Sequence, residues 1–183
     1  SVQAWGFADV SDDAYNRFYA TASLSGPLAS NMYYSASTAF GTEKFDTLTN
    51  LSSINLVYYP VSKVAVKAGG IYASGENGKL SAFMPVTKEI ADYAVDEPMF
   101  SGLVKAWLSA SVNIKSKVLL ESGGACLFAC SNSNASYDGW QWNAEAVWNI
   151  FSDVQVAAEA YQFYGNNSDK NKTGITAKAV IVF

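Results

Sequence analysis

Apolar and polar residues alternate along most of this chain with a period of two. In residues 140–150, every second side chain from Trp140 is apolar or small, whereas Gln141, Asn143 and Glu145 lie on the opposite face. A two-residue period is typical of a β-strand that has one apolar and one polar face. Helical periodicity is scarce in this sequence, so the pattern predicts an all-β fold.

The same alternation recurs often enough to predict ten antiparallel strands. We expect them at residues 2–10, 15–25, 31–40, 50–59, 63–74, 99–112, 117–129, 139–150, 154–165 and 173–183. Short turns alternate with long polar breaks at residues 11–14, 41–49, 75–98, 130–138 and 166–172. An even number of up-and-down strands with this arrangement can close without a free edge. The chain is therefore predicted to form a single β-barrel domain over residues 1–183.

Charge and aromatic residues indicate which solvent surrounds this barrel. Charged residues make up 15% of the chain, whereas soluble surfaces carry about 25–35%. The mid-strand charges lie opposite the apolar faces, and Trp140, Trp142 and Trp148 lie near the ends of one apolar face. Strands of about 9–11 residues also suit a bilayer. We therefore predict a transmembrane barrel with an apolar outer wall, aromatic girdles and a polar lumen.

Composition excludes several other classes of protein. The net charge of −4 argues against a nucleic-acid partner. The sequence contains no histidine, so histidine-based acids, triads and zinc sites are excluded. We expect no enzyme activity, no cofactor and no metal. The first residues lack the charged and apolar regions of a signal peptide, which predicts a mature chain after signal-peptide removal.

Three segments make the membrane interpretation more specific. Residues 58–66 and 148–156 look like the periplasmic turns of bacterial outer-membrane barrels, and the last strand ends in Phe183 after alternating apolar residues. The chain thus resembles the porin-like β-barrels of Gram-negative outer membranes. That resemblance implies an outer-membrane location, short periplasmic turns and longer extracellular loops. The first strand departs from the pattern, because Trp5 and Phe7 share a face with polar residues, and its lipid-facing side stays unassigned.

Charged residues in mid-strand are the candidates for lining a channel. They are Arg17, Lys67, Lys105, Glu121, Glu145, Glu159 and Lys178. In one interpretation they face a water-filled path; in the other they pair across a filled interior, because a buried charge needs a partner. Glu145 and Glu159 are candidates for a close carboxylate pair across neighbouring strands, which nearby lysines would neutralise.

The longest break, residues 75–98, is rich in acidic side chains. These are Glu76, Glu89, Asp92, Asp96 and Glu97. Loops of this length are usually functional or disordered. This one resembles the acidic loop that folds inward in porins, facing a basic wall, and would constrict the lumen. The alternative is an extracellular cap without a channel role.

The two cysteines, Cys126 and Cys130, are four residues apart. In an extended strand they would be too far apart for a disulfide, whereas a turn would bring them together. Both a small loop disulfide and two free thiols therefore stay open.

Three functions fit these patterns. The leading hypothesis is a small passive channel for hydrophilic solutes or ions in the outer membrane. The alternative is a non-conducting scaffold or adhesin that binds a partner through its loops, and the third is a secreted soluble β-barrel that binds a small ligand. A homo-oligomer is also possible, because small residues on the lipid faces suit contact with either lipid or another subunit; they include Ala106, Ala110, Ala144 and Ala146.

Overall fold

Ten β-strands account for the regular structure of this computed structural model. The structure describes residues 1–9, 17–43, 47–75, 102–115, 117–129, 138–151, 154–166 and 171–181. The strands are β1 (Val2–Asp9), β2 (Arg17–Ala29), β3 (Met32–Glu43), β4 (Thr47–Val61), β5 (Val64–Ala73), β6 (Leu103–Ile114), β7 (Val118–Ala129), β8 (Gly139–Asn149), β9 (Val154–Gly165) and β10 (Lys172–Ile181). Within these ranges no helix is long and apolar enough to cross a membrane.

Each strand pairs antiparallel with its neighbours in sequence, so the sheet is an up-and-down meander in the order β1 to β10. The predicted all-β class, strand number and strand order are confirmed. The sheet is open: within the described ranges, no backbone pairing joins β1 to β10. Large apolar residues on both edge strands are exposed, Val2 by 78% and Ile175 by 83%.

The connections between strands differ at the two ends of the sheet. At one end, the short-turn rim, β2–β3 and β4–β5 are joined by two residues each. These turns also bond to the next strand, because the Tyr59 N–H donates to the Asn31 carbonyl and the Asn113 N–H donates to the Lys63 carbonyl, both at 2.8 Å. The other end, which we call the long-loop rim, carries the connections before β2, β4, β6, β8 and β10.

Two prolines lie inside strands, although the sequence pattern places them in turns. β2 continues through Pro27 to Ala29, and β4 continues through Pro60 to Val61. The backbone register shifts between Pro27 and Ala29 and again between Tyr58 and Val61. Proline cannot donate a ladder hydrogen bond, and such irregular positions tolerate it. The predicted ends of these strands at residues 25 and 59 are therefore too early.

The predicted break at residues 41–49 is shorter than expected. β3 extends to Glu43 and β4 begins at Thr47, with Glu43 directly paired to Thr47. Cross-strand pairs such as Gly41 with Thr49 extend the ladder here, even though glycine is depleted in strands.

Charge separates the two faces of the sheet completely. Directly paired residues on antiparallel strands point to the same face. Apart from the irregular ends of β2 and β4, one face comprises the even-numbered positions of β1–β9 and the odd-numbered positions of β10. We call it the outer face, and it carries no charged residue on any of the ten strands. The opposite, inner face carries all the strand charges.

The register also assigns the two faces of β1, which the sequence left open. Ala4 is paired with Ala22 and Gly6 with Ala20, so the small residues of β1 continue the outer face. Trp5 is paired with Thr21, which places the Trp5 position on the inner face.

Candidate functional site: the inner face of the sheet

Three glutamates lie side by side on the inner face. Glu121 on β7 is directly paired with Glu145 on β8, and Glu145 is directly paired with Glu159 on β9. Carboxylates directly opposite each other on neighbouring strands repel. We call these three residues, together with the lysines at each end described below, the charged row.

At one end of the row, Lys67 of β5 reaches across β6 to Glu121. The Lys67 Nζ lies 2.7 Å from Glu121 Oε2, an ion pair with a hydrogen bond. The other carboxylate oxygen, Oε1, accepts a hydrogen bond of 2.9 Å from the Ser109 hydroxyl on the intervening strand. Charge-assisted bonds of this kind are the stronger ones in proteins, so Glu121 is held from two directions.

At the other end, Lys178 of β10 approaches Glu159 of β9. The Lys178 Nζ lies 3.8 Å from Glu159 Oε2, an ion pair whose atoms are too far apart for a hydrogen bond. Glu159 is only 5% exposed. A carboxylate removed from water is costly without a partner, so Lys178 is the cation that offsets its burial.

Glu145, in the middle of the row, is half-buried and has no hydrogen-bond or ion-pair partner among the described residues. With three carboxylates and two ammonium groups, the row has one more negative than positive charge. The sequence pattern predicted the approach of Glu145 and Glu159, which the register confirms. It missed Glu121 as their neighbour, because strand register cannot be read from alternation alone.

The other predicted wall residues lie nearer the long-loop rim. Lys105 of β6 is on the inner face, and its Nζ lies 6.0 Å from the ring centroid of Trp107 on the same strand. Arg17 begins β2, opposite Asp9 on β1 and Glu43 on β3. Of the seven candidates, the structure therefore leaves Arg17 and Lys105 outside the charged row and places the other five in it: Lys67, Glu121, Glu145, Glu159 and Lys178.

Two apolar clusters cover the inner face towards the long-loop rim, which the sequence analysis did not anticipate. The first, which we call the Phe163 cluster, contains Leu103, Ala125, Leu127 and Phe163, with Trp107 packed against it. The second contains buried Ala73 with Tyr19, Ala39, Leu51 and Ile71. Direct pairing of Ala73 with Leu103 makes the two clusters continuous. The sequence does contain a pattern that could have predicted these clusters: on the inner-face positions, polar residues are replaced by apolar ones towards one end of each strand.

The outer face exposes its aromatic side chains near both rims. Trp140 and Trp142 lie near the long-loop rim and Trp148 near the short-turn rim, and all three are exposed. Trp140 stacks on Tyr164 of β9, with ring centroids 4.3 Å apart. Small residues lie between them on β8, at Ala144 and Ala146. This is the arrangement that the predicted aromatic girdles require.

The small residues of the outer face form a shallow depression of about 550 Å³. Ala110, Ser122, Ala144 and Ala160 are directly paired in turn across β6 to β9. Of the four residues named as a potential subunit contact, Ala110, Ala144 and Ala146 line this depression, whereas Ala106 lines a separate one beside Trp140.

The remaining predicted site residues fall in other parts of the chain. The acidic loop residues lie outside the described residues; they are Glu76, Glu89, Asp92, Asp96 and Glu97. Cys126 is a free, exposed cysteine on the outer face of β7, whereas Cys130 also lies outside the described residues. In the part of the chain that the structure describes, no group of three or more acidic or cysteine side chains is placed to hold a metal ion.

Comparison of the chain with models of protein families and with curated proteins finds no match to either.

Proposed function

We propose that this protein is a β-barrel of a bacterial outer membrane that acts as a small passive channel for hydrophilic solutes or ions. One observation carries the proposal: the outer face of ten strands has no charged residue and exposes large apolar side chains, whereas the inner face is charged. A soluble sheet would present the reverse. Large exposed apolar surfaces mark contact with a membrane or a partner.

A cluster of polar groups on the outer face of β3 and β4 is hydrogen-bonded within the sheet, which supports a lipid environment. The Asn50 Nδ2 donates to Thr38 Oγ1 and to the Ala39 carbonyl, both at 3.1 Å. Ser52 Oγ donates to Asn50 Oδ1 at 3.0 Å. Unsatisfied polar groups are costly in hydrocarbon, where no water can replace the missing bond.

The stagger of the strands favours closure of the sheet into a barrel. The row of directly paired residues that begins at Val2, at the short-turn rim of β1, ends at Tyr164 near the long-loop rim of β9. A sheet that closes must have such a stagger, because its strands tilt around the axis. We propose that β1 and β10 pair antiparallel, with Ala4 opposite Ile181. This pairing corresponds to a stagger of about 12 residues and a strand tilt of about 40°, in the usual range for barrels.

A channel needs inner-face charges that a solute can reach, whereas a non-conducting scaffold does not. Ion pairs between Lys67 and Glu121 and between Lys178 and Glu159 use charges that would otherwise face a solute. Together with the apolar clusters, they favour the scaffold as the second candidate. In that case the loops at the long-loop rim would bind a partner.

Conductance across a planar lipid bilayer tests the channel. We expect purified, folded protein to produce discrete, voltage-independent current steps in potassium chloride. In a salt gradient, Lys67→Glu should move the reversal potential towards cation preference, because it replaces a positive wall charge with a negative one. Lys117→Glu is the matched control, since it makes the same change in the exposed turn before β7.

A folded protein that inserts into the bilayer without conducting would exclude the channel and leave the scaffold. Equal reversal potentials for Lys67→Glu and wild type would place Lys67 off the conduction path. Solubility without detergent, with no heat-dependent shift in gel mobility, would exclude both membrane functions and leave the soluble ligand-binding barrel.

A further inference from the structure

The inner face has two chemically different levels. The charged row lies towards the short-turn rim, and the Phe163 cluster lies closer to the long-loop rim. On β9, Glu159 and Phe163 are four residues apart, a distance of about 13 Å along the strand. A solute that follows the inner face from rim to rim therefore meets both levels in succession.

The Phe163 cluster contains the two largest fully buried side chains of the described residues. Leu127 is 0% exposed and Phe163 is 1% exposed. Its members come from β6, β7 and β9, so side chains of three strands converge at one place. The cluster therefore joins side chains of strands that are not all direct neighbours, since β8 lies between β7 and β9.

Gly139 allows the Phe163 ring to reach this position. Gly139 lies on β8, between the strands that carry Phe163 and Leu127. A Cβ atom at Gly139 would overlap the Tyr164 carbonyl oxygen and would also lie 2.9 Å from Cζ of Phe163, closer than real side chains approach. The Phe163 ring therefore extends over Gly139, next to the buried side chain of Gln141, with which Phe163 is directly paired.

We propose that the Phe163 cluster is an apolar constriction of the channel and that Phe163 limits which solutes pass. This inference rests on the proposed channel function. Hydrophobic constrictions oppose hydrated ions, because a narrow apolar segment offers no replacement for the hydration shell. The charged row then acts on solutes that have passed the constriction, and the constriction determines how many reach the row.

The surroundings of the cluster are mixed rather than wholly apolar. Lys105 lies between Leu103 and Trp107 on β6, and Lys172 is directly paired with Phe163. Lysine stems are themselves apolar, so both residues can border a constriction. The continuous apolar surface through Ala73 and Leu51 extends it across the neighbouring strands.

Substitution of Phe163 tests the constriction through two opposite changes in size. We expect Phe163→Ala to raise single-channel conductance by at least about twofold and to admit larger uncharged sugars in liposome-swelling assays, because the gap widens. Phe163→Trp should lower both. Phe128→Ala is the matched control: Phe128 lies on the outer face of β7 and is 56% exposed, so its conductance should equal that of wild type.

The outcomes separate this inference from the channel function. Wild-type conductance with no change in Phe163→Ala or Phe163→Trp would overturn the constriction and leave the channel. If the wild type and both variants are folded, as judged by heat-dependent gel mobility, but none of them conducts, both the constriction and the channel are overturned. Silence of the wild type with conductance in Phe163→Ala would support the constriction and overturn an open channel. If Phe163→Ala fails to fold, Phe163→Trp alone decides, because lower conductance supports the constriction and unchanged conductance overturns it.

Discussion

Gly69 and Gly70 are adjacent on β5 but face opposite sides of the sheet, so they have different reasons to lack a side chain. Gly69 lies beneath the Trp107 ring, and a Cβ there would overlap Trp107 Cζ2 and lie 2.7 Å from the Ile54 carbonyl oxygen. At Gly70 the nearest atom to such a Cβ is the Lys105 carbonyl oxygen at 3.5 Å. The first glycine is required by an aromatic neighbour, and the second is not.

This difference predicts unequal effects of the same substitution. Gly69→Ala should lower the free energy of unfolding by about 1–3 kcal/mol, because overpacking forces Trp107 from its position. Gly70→Ala should stay within about 0.5 kcal/mol of wild type. Urea unfolding of refolded protein, followed by tryptophan fluorescence, measures both. Equal losses in the two variants would contradict the assigned position of Trp107.

The charged row predicts that two glutamate substitutions change the free energy of unfolding in opposite directions. Glu145 is flanked by two carboxylates and has no partner among the described residues, so Glu145→Gln removes repulsion. We expect it to raise the free energy of unfolding by up to about 1 kcal/mol. Glu121→Gln is the control: it breaks an ion pair with Lys67 and weakens the bond from Ser109, so it should lower the same quantity by about 1 kcal/mol. A loss of stability in Glu145→Gln would show that Glu145 has a favourable role in the wall.

At the scale of elements, alternation predicts which segments are strands but not where they pair. The ten segments and their order follow from the two-residue period, because one face of each strand must be apolar. The ends of β2 and β4 do not follow, since Pro27 and Pro60 are typical of turns and lie in irregular ladders here. The charged row depends on the register of neighbouring strands. Alternation does not give the exact length of the turns that determine this register, so Glu121 could not be placed beside Glu145 from the sequence.

At the same scale, closure of the sheet depends on whether the open edges of β1 and β10 pair with each other. With Cys126 and Cys130 replaced by serine, Gly6→Cys combined with Ala179→Cys should form an intramolecular disulfide in the folded protein. These positions are directly opposite in the proposed register, within the reach of a disulfide. Gly6→Cys with Ala177→Cys is the control, two residues out of register, and should cross-link poorly. Gel mobility under non-reducing conditions distinguishes the products, and dimers alone would mean that the edges join two copies.

Over the whole molecule, charged and apolar residues are separated in two directions. Charge divides the inner face from the outer face, and along the inner face the charged row is divided from the apolar clusters. The first separation is the one that the proposed boundary between lipid and a polar interior requires. The second makes the inner face uneven, so that in the proposed channel solute entry and solute selection would depend on different residues. Composition alone indicates only the first, through a low overall charge; the second depends on the ladder that aligns ten strands.

The environment of the outer face can be decided with two neighbouring residues of β8. Ala144 lies on the outer face in the middle of the strand, whereas Asn143 lies on the inner face next to Gly123 and Tyr161. If the outer face meets lipid, Ala144→Arg should destabilise the folded protein in phospholipid vesicles by about 2–4 kcal/mol, the cost of arginine near the bilayer midplane. Asn143→Arg should cost less, because the inner face already holds charged groups. The measurement is the fraction that reaches the heat-modifiable form, together with its urea midpoint. If water bathes the outer face, the order reverses, because Ala144→Arg would then add a charge to a solvated surface and Asn143→Arg would place one in the interior.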